Sequence, residues 1–144
     1  MTSKFSAIIS VLLLGACGAA TASPPNSTNP AHCMAAFSYA RTIALGSRPS
    51  NFNLAVQSTA RSLYEGRKLK ARGLLENGRE EGEALLSKYS KDEKVMMGLV
   101  LDCLKQQDAD PDYIALNESG DLMAAARKVD PVCRDDATCW GKLR

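Results

Sequence analysis

Histidine is almost missing from this chain. His32 is the single imidazole among 144 residues, and most hydrolytic and redox mechanisms thereby lose their usual base. It stands beside Cys33, but adjacent helical residues point about 100° apart, so the two do not form a base–nucleophile couple, and His32 is expected as a surface residue of a helix's first turn. A dominant charge is missing as well. Eighteen Lys plus Arg oppose 16 Asp plus Glu, a net +2 with pI near 8.3. This is far from the basic signature of a nucleic-acid binder, while a hydrophobic content of 45% is too high for a disordered tail. No GxSxG, HExxH, Walker or GxGxxG pattern occurs, nor the serine-lysine set of penicillin-recognising enzymes. CxxC pairs and a CxxCH haem attachment are absent, which argues against zinc and haem. No cofactor and no metal site is expected. Internal repeats and strand-like alternation are not evident.

What the chain does have begins at its N-terminus. Lys4 precedes an apolar run over residues 5–14 and then small residues, the three parts of an export signal. The run is too short for a permanent span, which needs about 20 apolar residues. Leu14-Gly15-Ala16-Cys17 resembles the bacterial lipobox, which implies cleavage after residue 16, lipid on Cys17 and, with Gly18 rather than Asp following, the outer membrane. Ala20-Thr21-Ala22 offers ordinary signal peptidase a competing site, removing residues 1–22. Residues 17–30, rich in Pro, Ser and Asn, are expected to be a flexible tether, and residues 31–144 a single domain. Only Lys4 is lost with the signal, leaving a domain of 17 basic and 16 acidic residues.

Whichever site is cut, Cys33, Cys103, Cys133 and Cys139 remain, an even set suited to an oxidising periplasm. Three connectivities are possible. Cys33 with Cys103 and Cys133 with Cys139 is favoured, since the first two fall on apolar helical faces and the second two close a short loop.

Periodicity predicts a compact all-α bundle of four to five helices stapled by two disulfides. Asn29-Pro30 reads as an N-cap followed by proline at the first helical position, opening a helix with Cys33, Phe37, Ala40 and Ala44 on one stripe and Gly46 as its stop. A second stripe through Val56, Ala60, Leu63, Ala71 and Leu74 extends to Asn77-Gly78, although Gly66 and Gly73 each cost about 1 kcal/mol in a helix interior. A short third helix carries Leu85, Leu86 and Tyr89. Ser90 and Glu93 have the spacing of a capping box before a stretch from Val95 to Leu104 that is apolar nearly all round, as a central helix would be. Asp110-Pro111 and Ser119 start two shorter helical segments, and the tail from Asp130-Pro131 is expected to be irregular.

Candidate sites are few. Asp108, Asp110 and Asp112 have calcium-loop spacing, but Tyr113 and Ser119 occupy the places where glycine and a bidentate glutamate belong, so a helix-capping acidic turn is expected. Glu118-Ser119 resembles the Glu-Ser pair of lytic transglycosylases, which implies a glutamate acid/base, yet too little chain follows to build that family's groove. Arg61, Lys68 and Arg72 form a basic set that could dock another periplasmic protein or wall polymer. Taken together, these features predict a non-catalytic exported envelope protein, periplasmic and lipid-anchored, binding another protein as adaptor, inhibitor or immunity-type partner. In architecture it is similar to small disulfided helical immunity proteins, an analogy of fold class. A carboxylate-dependent wall hydrolase using Glu118 is one alternative. A stress chaperone exposing Met96, Met97 and Leu101 is the other.

Overall fold

The computed structural model describes residues 22–134, and every regular element among them is a helix. Helix α1 covers Pro30–Gly46; Asn29 adopts extended geometry and its side chain accepts from the Ala31 N–H, with Pro30 in the first turn. Helix α2 covers Phe52–Ala71 and is capped by Asn51 through the Leu54 N–H. The single long helix expected as far as Asn77 is instead cut after Ala71. Gly73 takes a φ of 69°, the Leu74 N–H turns back to the Leu69 carbonyl, and α3 starts afresh over Leu75–Tyr89. Ala71 and Leu74, which periodicity places on the apolar stripe, are both exposed at this break.

Helix α4 covers Glu93–Asp108, α5 Pro111–Glu118, α6 Asp121–Val129 and α7 Pro131–Arg134. Seven helices among the described residues thus replace the four to five expected, the tail supplying the short α7 where an irregular end was predicted. The capping box at Ser90 is also corrected. Asp92 caps α4 through the Val95 N–H, while the Ser90 N–H still closes α3 on the Leu86 carbonyl. Asp is an equally good cap, and it lies one residue before the helix.

Nor is α4 the central helix. It buries Met96, Leu99, Val100, Cys103 and Gln107, but Leu101 is 54% exposed. The centre belongs to α1, which packs against α2, α3 and α4. Small side chains explain this: Ala31, Ala35, Ala36 and Ala44 are all buried and let neighbours approach on several sides. At Gly82 of α3 a Cβ would lie 3.3 Å from the Ala31 carbonyl oxygen and 3.4 Å from Ala35 Cβ, so little more than glycine fits there.

Two apolar clusters result. One joins Phe37 of α1 to Leu85 of α3 and to Leu99 and Val100 of α4; the other joins Val56, Ala60 and Tyr64 of α2 to Tyr113, Leu122, Ala126 and Cys133. Cys33 and Cys103 form the expected disulfide inside the first, with Cα atoms 5.6 Å apart across a separation of 70 residues. Closing so long a loop stabilises the fold by on the order of 4 kcal/mol in the chain-entropy model. Cys133 is buried in the second cluster. Its expected partner Cys139 lies outside the described residues, as does Cys17, the expected lipidation site.

Candidate functional site

Three polar constellations hold helices together. The first surrounds His32, which is buried at 1% exposure rather than on the surface where a first-turn residue was expected. Its Nδ1 accepts from the Asn26 N–H at 3.0 Å, so the ring proton sits on Nε2, 3.0 Å from Glu81 Oε1. Asn29 Nδ2 donates to the same oxygen at 2.8 Å. The chain before α1 folds back over the ring: Gln106 Nε2 donates to Ser27 Oγ at 2.9 Å and Lys88 Nζ to the Ala22 carbonyl at 3.4 Å. The last part of the expected tether is therefore anchored to α3 and α4.

The second is Asp130, 1% exposed, which accepts two parallel bonds from Arg41 at 2.8 Å, another from Thr59 Oγ1 and a fourth from the Val132 N–H at 2.9 Å. Burial alone would raise its carboxyl pKa, but these donors outweigh burial and hold it below the usual range.

The third constellation joins α2 to α4 and α5. Gln107 Nε2 donates to buried Glu65 at 2.6 Å and to the Arg61 carbonyl at 3.1 Å. Arg61 reaches Gln107 Oε1 at 3.2 Å and Asp108 at 3.0 Å, with its guanidinium 4.9 Å from the Tyr113 ring centre. Lys68 pairs with Glu65 at 3.1 Å and lies 5.0 Å from the Tyr64 ring centre. The Tyr64 hydroxyl donates to Asp110 at 2.6 Å, lowering that carboxyl below its usual range. Burial, then this bond, pushes the Tyr64 hydroxyl pKa up. Asp110 also caps α5 through the Asp112 N–H, as the acidic turn predicted. Two of the three cations selected from sequence, Arg61 and Lys68, are thus engaged within the chain, while Arg72 is the exposed C-cap of α2. Glu118 ends α5, exposed, beside the C-cap Ser119.

The open feature lies on a different face of α2. A groove of about 290 Å³ runs between α1, α2, α3 and α6, with Met34, Leu63, Gly66 and Leu75 at its floor and Val129 at its lip. A second recess of about 320 Å³ continues it past Gly82 and Leu86, sharing Met34, Ser62 and Arg79. The floor residues are half-buried, whereas Arg67, Lys70 and Arg79 on the rim are exposed. Among the described residues Arg79 pairs with Glu76 alone, 3.1 Å away and also exposed. The Arg67 and Lys70 side chains have neither ion pair nor hydrogen-bond partner among the described residues. Sequence reasoning missed these cations by following charge along the chain. The available signal was Leu63, Gly66, Arg67 and Lys70 at spacings of three and four, one helical face carrying a gap and two charges.

Among the described residues no three His, Cys, Asp or Glu side chains converge on a point. Comparison with known protein families, with curated proteins and with solved structures finds no match, so the chemistry of the groove carries the functional reading.

Proposed function

We propose that this chain is a non-catalytic exported protein of the cell envelope, held at the outer membrane by lipid on Cys17, that binds another protein as adaptor, inhibitor or immunity-type partner. The observation that supports it is the groove between α1, α2, α3 and α6, an apolar recess beneath exposed cations. Grooves of this construction accept a segment of a partner, the apolar floor supplying affinity and the charged rim orientation. The buried carboxylates Glu65 and Asp130 are, by contrast, committed to helix-joining hydrogen bonds, which leaves them poorly suited to proton transfer.

Native-gel analysis of gently solubilised envelopes tests the reading. The full chain should migrate in a complex with a second protein, and migration as a lone chain at every detergent strength contradicts it. Unchanged wall turnover after Glu118→Gln is also expected, and its loss would favour the hydrolase alternative.

A further inference from the structure

Gly66 occupies the middle of α2, where glycine costs about 1 kcal/mol relative to alanine. Packing does not require it. A Cβ at this position would lie 3.8 Å from Leu75 Cδ1 and 3.8 Å from Met34 Sδ, ordinary contact distances, and no left-handed backbone angle is involved. The missing side chain therefore leaves the groove floor open between Met34 and Leu75, beside Arg67 and Lys70, whose side chains have no ion-pair or hydrogen-bond partner among the described residues.

Resting on the protein-binding reading above, we infer that the groove takes an acidic amphipathic segment of the partner, one apolar side chain seated over Gly66 and flanking carboxylates meeting Arg67 and Lys70. Charge complementarity selects the acidic residues, because a basic segment would face two uncompensated cations. Concavity selects a peptide over an anionic bilayer, since Met34, Leu63 and Leu75 of the floor are half-buried while the cations are exposed, and Val129 alone of the apolar lining stands out at the lip. Arg79, already shared with Glu76, contributes less.

The probe is a short labelled peptide with leucines three and four residues apart and glutamates between them, titrated onto the full chain by fluorescence anisotropy. It should bind, and more weakly as salt rises. The Arg67→Glu/Lys70→Glu double variant changes only exposed residues and should weaken it by about tenfold or more, while a lysine-flanked peptide gains on that variant. Gly66→Leu should block both peptides; Gly66→Ala, which fits sterically, should leave the fold at least as stable. Equal binding of glutamate and lysine peptides, indifference to the charge reversal, or tighter binding to phosphatidylglycerol vesicles than to the peptide each overturns the inference. If the peptide fails while the chain still migrates in an envelope complex, the groove assignment falls and the protein-binding reading stands. If the peptide binds and no envelope complex exists, the reverse holds.

Discussion

Asp130 ties the end of α6 to both α1 and α2 with one carboxylate, receiving Arg41, Thr59 and the Val132 N–H together. Its amide replacement would leave the partly buried Arg41 guanidinium and two donors poorly matched at a buried site, so Asp130→Asn should cost about 3 kcal/mol of stability by chemical denaturation. The sign of its pH dependence follows from the lowered carboxyl pKa. A depressed folded value gives stability that is present above the unfolded pKa of about 4 and lost as the pH falls through the folded value. Thermal melting should therefore hold steady above about pH 5, fall as the pH drops below about 4, and do so less in Asp130→Asn. Asp110 carries the same sign through Tyr64, so some dependence remains in the variant. An identical drop in both chains would show that Asp130 is not the acid-sensitive tie. None of this network was readable from sequence, because its members lie 89 and 71 residues apart. His32 was misjudged for a related reason: its burial is produced by the chain segment at Asn26 folding back and by Glu81 from another helix.

Helices were far more legible than contacts. Asn29-Pro30 and Asp110-Pro111 mark the true starts of α1 and α5, since capping is a local bond that sequence spells out. Where two local solutions compete, reading fails: Asp92 outranks Ser90, and Gly73 ends α2 although apolar residues recur past it in the sequence. The two glycines of this region offer a test with opposite signs. Gly73→Ala places a Cβ on a backbone with φ of 69° and should destabilise by about 1 kcal/mol. Gly66→Ala should stabilise by a similar amount, about 1 kcal/mol. Denaturation midpoints of both variants check this, and the same sign for both would refute the assignment of the break. The basic set at Arg61, Lys68 and Arg72 was legible as charge but not as orientation. Helix neighbours decide which cations are consumed internally, and Gln107, Asp108 and Asp110 take two of those three.

At the scale of the molecule, an alanine-rich α1 lets three helices gather around it, and the Cys33–Cys103 disulfide joins α1 to α4 across 70 residues. Replacing Cys33 and Cys103 together by serine should lower the unfolding free energy by on the order of 4 kcal/mol, measured in urea at fixed pH. A loss below about 1 kcal/mol would mean that packing alone holds the two helices. The groove forms because α6 and α3 flank α2 around Gly66, leaving apolar floor and cationic rim uncovered by the described residues. Amide chemical-shift mapping of the full chain titrated with the glutamate-flanked peptide tests this central claim most directly. Shifts concentrated at Leu63, Arg67, Lys70, Leu75 and Val129 are predicted; shifts confined to the opposite surface around Arg61, Asp108 and Tyr113, or spread evenly over the chain, would contradict it.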